Sequence, residues 1–301
     1  MARPLVSDEL WELIEPLIPK VPRRHRFPGR KRLDDRKVLA GILFVLQTGI
    51  PWEYLPQEMG CGSGVTCWRR LREWQEAGVW QRLHELLLAK LNEADLIDWS
   101  RAAIDSSHVR AFGGGEKTGP SPVDRSRRGS KHHLIACGRG TPLTVGLTGG
   151  NRNDITQMIP LVDAIPPVRG RRGRPRRRPR ELYGDRAYHS REGRSELRRR
   201  HIQAKIAWPK SGHGSGPGTR RWVVERTIAW LHQYRRLRIR YERRDDIHEA
   251  FLPIGCSLIC LKLLQAGERI LKGVLSIFRG NRSPVPSFDP IRRRRLRTGR
   301  S

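Results

Sequence analysis

Near Trp99 the hydrophobic period of this 301-residue chain changes, and that change bounds what it can fold into. Between Ser7 and Ala94 apolar residues recur at helical spacing; from Arg101 they gather in short runs punctuated by Gly, Pro and Asn. A small all-α region followed by an α/β layer structure is the arrangement such a switch predicts. Ser7 is a suitable N-cap, with Asp8 and Glu9 in the first turn and Leu10, Leu13, Ile14, Leu17 and Ile18 on one face. Asp34 opens a second helix that turns Leu39, Ile42, Leu43 and Leu46 inward and closes at Gly49 and Pro51. Ser63 caps a third, with Trp68, Leu71 and Gln75 expected inward and Arg69, Arg70 and Arg72 outward; a fourth spans about 80–94. Short helices around a Gly/Pro turn fit a helix-turn-helix-like DNA reader, and equally a plain bundle with solvated arginines.

In the second region, residues 102–109, 134–136 and 141–147 read as strands, the last two joined by the turn Cys137-Gly138-Arg139-Gly140. Asp154 caps a helix over 155–165. The strand Glu181–Gly184, a basic helix over 191–200 and a strand over 202–208 follow. A long amphipathic helix is expected from Arg220 to about Tyr241, then an apolar helix ending near Leu264. The fold class expected is α/β, a mixed sheet flanked by helices and preceded by the small all-α unit. The organisation expected is 1–98, 99–264, and a basic, disordered tail over 265–301.

The charge balance narrows the partners. Sixty Lys and Arg against thirty Asp and Glu leave +30, a surface that calls for a polyanion, and nucleic acid is the commonest one. Candidate DNA contacts are Arg69, Arg70 and Arg72, expected to read bases, and Lys131, Arg171, Arg172 and Arg174. The last three lie in a loop, 169–180, with eight arginines in twelve residues, read as a mobile arm or a phosphate-binding loop. Lys131, His132 and His133 are read as preceding a strand. Five cysteines show neither a disulfide framework nor zinc-finger spacing, so reduced, buried thiols are expected. The first residues lack a signal-peptide core, and the apolar stretch 251–264 is broken by Pro253, Ser257 and Lys262 and is too short for a bilayer. A cytoplasmic, nucleoid-associated protein without a membrane partner is expected.

Against this basic background, three acidic residues end apolar runs. Asp105 follows Ala102-Ala103-Ile104, Asp185 follows Leu182-Tyr183-Gly184, and Glu225 follows Trp222-Val223-Val224. A carboxylate there is costly to desolvate unless it meets a cation or a hydrogen-bond network. Taken singly, each could pair with a neighbouring Arg. Taken together, converging carboxylates repel one another, and a divalent metal relieves that. Oxygen-only ligation favours Mg²⁺ or Mn²⁺, and two such ions can act on a phosphodiester.

The blocks Ala103-Ile104-Asp105-Ser106-Ser107-His108-Val109, Tyr183-Gly184-Asp185-Arg186-Ala187-Tyr188 and Arg221-Trp222-Val223-Val224-Glu225-Arg226-Thr227 resemble the three catalytic blocks of Asp-Asp-Glu (DDE) insertion-sequence transposases. The stretch from Leu33-Asp34-Asp35-Arg36 through Gly49-Ile50-Pro51-Trp52 to Trp80 resembles the helical insertion-element domain that precedes the catalytic domain in one such group. The resemblance implies a ribonuclease-H-like catalytic domain with Asp105 on the first strand, Asp185 on the fourth and Glu225 on a following helix. By the same implication these three are catalytic and hold two metal ions, Arg221 supports Glu225, and two protomers act on paired DNA ends. Of the wider signature around the glutamate, Arg221 and Glu225 are present, while Gly218 stands in place of Tyr and His232 in place of Lys. The function implied is metal-dependent cleavage and strand transfer at the inverted-repeat ends of a mobile element. Two alternatives stay open: a ribonuclease-H-like nuclease or resolvase with the same metals, and a catalytically inactive DNA-binding protein.

Overall fold

The computed structural model describes residues 4–22, 25–26, 29–208 and 218–280. Four helices come first: α1 (Asp8–Ile14), α2 (Asp35–Thr48), α3 (Gly64–Glu76) and α4 (Val79–Glu93). Three begin where a side chain satisfies the first free N–H groups. The Ser7 hydroxyl accepts from Leu10, the Asp34 carboxylate from Arg36 and Lys37, and the Ser63 hydroxyl from Thr66. Gly49 ends α2 at φ +74, a left-handed cap open to glycine. The buried stripe of α3 is Gly64, Cys67, Arg70, Leu71 and Trp74; Leu71 faces inward as expected, whereas Trp68 and Gln75 are only half-buried. Its rotation is set at the start: a Cβ on Gly64 would lie 1.8 Å from the Trp52 carbonyl oxygen, so only glycine allows that approach.

Seven strands follow: β1 (Arg101–Ala111), β2 (Gly119–Pro120), β3 (Arg128–Cys137), β4 (Pro142–Gly149), β5 (Glu181–Gly184), β6 (Gln203–Ile206) and β7 (Ile239–Arg240). Between and after them lie α5 (Ile155–Asp163), α6 (Arg191–Arg199), α7 (Gly218–Leu231), α8 (Arg235–Arg238) and α9 (Asp245–Gly280). β1, β3 and β4 are antiparallel; β5 adds parallel to β1, and β6 parallel to β5. The order β4-β3-β1-β5-β6, with short β2 on β3 and β7 on the far end of β1, is the ribonuclease-H-like mixed sheet. Helix α7 lies against β1, β3 and β5, while α5 packs on β3, β4 and α6.

Three elements differ from the sequence reading. Lys131, His132 and His133 lie within β3, not ahead of it. α7 stops at Leu231 rather than near Tyr241, because the following arginines turn inward. Arg236 is buried on Glu242 (2.6 Å) and the carbonyls of Gly49 and Ile50, and Arg240 on Ser130 Oγ (2.8 Å) and the Glu242 carbonyl (2.9 Å). A continued helix could not deliver both guanidinium groups to those acceptors, so their satisfaction overrides helical periodicity. α9 runs on past Leu264 to Gly280, with no proline between Pro253 and Pro284 to stop it. Residues 265–280, read as the start of the tail, are therefore helical; residues 281–301 lie outside the described residues.

Over Asp245–Arg269 α9 is long and apolar enough to cross a membrane by length and composition, contrary to the short stretch read from sequence. Its most apolar 18-residue window has a mean hydropathy of 1.6, and 61% of that window is buried inside the protein. It lies on α4, α3, β4 and α7. Buried residues from Val6 to Leu261 form one continuous cluster, so the helical region and the sheet share a core across the boundary at 98/99.

Candidate active site

Strand register brings two of the three acids together. In the parallel pairing of β1 with β5, Ala103 stands beside Tyr183, an offset of 80 residues, and 185 − 105 is the same 80. Asp105, within β1, and Asp185, just past the end of β5, therefore stand at the same level of adjacent parallel strands. Asp105 is half-buried on β1 and accepts from the Ser106 N–H (2.8 Å). Asp185 caps a single 3₁₀ turn, Arg186–Tyr188, by accepting from the Ala187 N–H (2.9 Å).

Glu225 reaches the same place from α7. Val223, Val224, Thr227, Ile228 and Leu231 anchor that helix, which leaves Arg221 and Glu225 one turn apart toward the carboxylates. Arg221 donates to Glu225 Oε1 (2.9 Å) and stands 3.6 Å from Asp185 Oδ2. Burial pushes the Asp105 carboxyl up to about 6; the Ser106 N–H and the Arg221 guanidinium pull it down, and the charges of Asp185 and Glu225 push it up again. The site thus holds three mutually repelling acids around one cation. Among the described residues no group of His, Cys, Asp or Glu closes to metal-ligand distance. The donor set nevertheless fits a hard divalent ion: oxygen only, with an undercompensated half-buried carboxyl and open partners, Asp185 and Glu225 being 41% and 54% exposed.

Comparison with known proteins decides the family. The description "Transposase DDE domain" matches residues 100–260, and "Putative transposase of IS4/5 family (DUF4096)" matches residues 6–84. The chain belongs to the DDE transposases. It is 58% identical over 158 residues to "Putative transposase for insertion sequence element IS402" of Burkholderia cepacia, covering 52% of this chain and 75% of that one. A second Burkholderia cepacia relative, "Insertion element IS402 uncharacterized 16.2 kDa protein", is 66% identical over 123 residues, covering 40% and 84%. Among solved structures, "Mos1 transposase paired-end complex with left transposon end" aligns over 86% of each chain at 11% identity and a TM-score of 0.25, a likeness too slight to carry an argument.

The transposase places its candidate DNA contacts unevenly. Arg69 is exposed on α3. Arg70 is not: it is buried against Asp35 (3.1 Å), because it falls on the inward stripe with Leu71 and Trp74. Arg72 is partly covered, 3.4 Å from Glu76 and over the Trp68 ring. Lys131 is also removed from the surface set; its ammonium donates to Asp154 (3.0 Å) and to the Arg152 carbonyl (2.9 Å). The same bond takes the Asp154 side chain away from its helix, so Asn153 accepts from Ile155 in its place (3.3 Å). The arginine loop is seated rather than a mobile arm. Val168 and Arg176 exchange backbone hydrogen bonds, Asn92 donates to the Arg169 carbonyl (2.7 Å), and Arg171 pairs with Asp95 (2.7 Å). These polar contacts hold the loop while leaving Arg172 and Arg174 exposed.

Sequence reasoning missed what steadies α7. Thr227 donates to the Gly140 carbonyl (2.8 Å) and Arg226 to the Arg139 carbonyl (2.7 Å), fixing the helix to the β3–β4 turn. Arg226 lies 4.5 Å from the ring centres of both Trp222 and Trp230. The i−4, i, i+4 pattern of Trp-Arg-Trp was the available signal.

Proposed function

We propose that this transposase cuts DNA at the ends of a mobile element and joins it to a target, with Asp105, Asp185 and Glu225 holding two Mg²⁺ or Mn²⁺ ions. The observation that carries the reading is the shared 80-residue offset, which sets two carboxylates side by side with a glutamate and an arginine above them. Bound there, the ions would activate the attacking hydroxyl and offset charge on the leaving oxygen. The protein supplies placement. Asp105 is immobilised by burial and its neighbour's N–H, Asp185 by its cap, and Glu225 by Arg221. The clamp from Arg226 and Thr227 keeps α7, and so Glu225, at a fixed height over β1 and β3. The exposed arginines account for affinity, and a pair of protomers on paired ends completes the reading.

Asp105→Asn, Asp185→Asn and Glu225→Gln should each abolish cleavage and joining of end-containing DNA in magnesium while leaving its binding within a few-fold, since affinity comes from phosphate contacts made elsewhere. Full cleavage by any of the three overturns the assignment. A protein that nicks end DNA but never joins it is instead a nuclease or resolvase.

A further inference from the structure

On the strand next to β5, α6 and β6 enclose a groove of about 800 Å³ whose lining includes Arg191, Arg194, Arg198 and Trp208. That size lies in the range of binding clefts, about 300–1,000 Å³. It adjoins the candidate site through the sheet. Gly184, the residue before Asp185, pairs with Ile206, and Trp208 follows two residues later. Nothing in the assignment above uses this groove.

Its lining is built. Arg194 donates to the carbonyls of Ala204 (3.4 Å) and Ile206, which fixes the plane of the guanidinium. The Trp208 ring lies 4.4 Å from that guanidinium and 4.9 Å from the His189 ring, yet 57% of the residue is exposed. An indole held on a fixed cation is a ready stacking surface. Arg191, Arg194 and Arg198 recur at helical spacing on one face of α6, the outer two exposed. Those two span seven residues, about 10 Å along the helix axis, or about three steps of a stacked strand at 3.4 Å each. Phosphates at that repeat and a base on the indole are the chemistry the groove is shaped to take.

We propose that this groove holds one DNA strand as it runs to Asp105 and Asp185, with phosphates on Arg191 and Arg198 and an unpaired base against Trp208. The inference rests on the transposase reading and adds the strand-holding surface to it. The test uses the full chain in chelator, so that nothing is cut, with three labelled probes: a duplex of the element's end, a duplex of unrelated sequence, and the end duplex with its terminal bases unpaired. Arg191→Gln/Arg198→Gln should lower the slope of log affinity against log salt by about 1.8, from about 0.9 per lost phosphate contact. Loss on the end duplex alone identifies the element's strand; loss on both duplexes identifies backbone from either source. Trp208→Ala should weaken the unpaired probe roughly tenfold and the paired one little, with Trp208→Phe retaining most of the affinity. Thermal melting checks the fold; if Trp208→Ala melts early, the Phe and Gln variants decide. An unchanged slope with equal affinities overturns the groove. Absence of any DNA binding by the wild type overturns the transposase reading instead.

Discussion

Arg221 occupies by charge the place that a divalent ion would take: it satisfies Glu225 at 2.9 Å, faces Asp185 at 3.6 Å and offsets the half-buried Asp105. Under the proposed assignment, metal and guanidinium would act on the same carboxylates. Arg221→Gln should melt below the wild type in chelator, where three acids face one another uncompensated, and should gain more from added magnesium. Equal magnesium shifts in calorimetry would show that the metal binds elsewhere. Arg70 makes a contrasting prediction. Because its partner Asp35 is 28% exposed, Arg70→Ala should destabilise by about 2–3 kcal/mol, less than the 3–5 kcal/mol of a fully buried pair. Base preference should not change. Arg69→Ala should leave stability alone and weaken DNA binding. Denaturant melts and footprints of the two variants separate these roles, and a shifted footprint for Arg70→Ala would refute its structural assignment.

Elements were legible where their determinants are local. Ser7, Asp34 and Ser63 cap the helices they announce, and the strand Glu181–Gly184 falls where its apolar run lies. The ordering of Asp105, Asp185 and Glu225 could be read as well, since strand ends and helical turns are written in neighbouring residues. What could not be read depends on partners far away in sequence. Asp35 for Arg70, Asp154 for Lys131, and the carbonyls of Gly49 and Ile50 for Arg236 leave no local trace. The arginine loop shows the same limit: its charge argued against packing, but Gly170, at φ +95, brings its backbone against the Ala89 carbonyl on α4. Gly170→Ala should lower the melting temperature, since a Cβ would lie 2.1 Å from that oxygen. Arg172→Gln/Arg174→Gln should instead keep the melting temperature and flatten the salt dependence of DNA binding by up to about 1.8. A salt slope identical to the wild type would remove this loop from the DNA-binding surface.

Across the whole molecule, buried neutral histidines set the response to acid. Burial lowers His84, His133 and His232 to about 4, and His132 well below its usual value. Each would take up a proton near 6.5 once unfolded. Between pH 6.5 and 4 the unfolded chain thus binds more protons than the native one, and stability falls with falling pH. For fully buried His84 the span corresponds to about 3 kcal/mol. Acid unfolding should therefore begin near pH 6 in circular dichroism, and His84→Gln should move the midpoint downward; an unshifted midpoint would leave His84 without this role. The shared core also makes the order of synthesis matter. Helix α4 is complete at Glu93, but its packing partner α9 starts at Asp245, 152 residues later. At about 5–20 residues per second the ribosome needs roughly 8–30 s to bridge that gap. For that time α4 of the nascent chain has only α1 and α3 to pack on, and the face that will meet α9 is open to chaperones. A chain released early would carry its arginines to DNA in an unfolded form, so the apparatus comes into being only when α9 emerges.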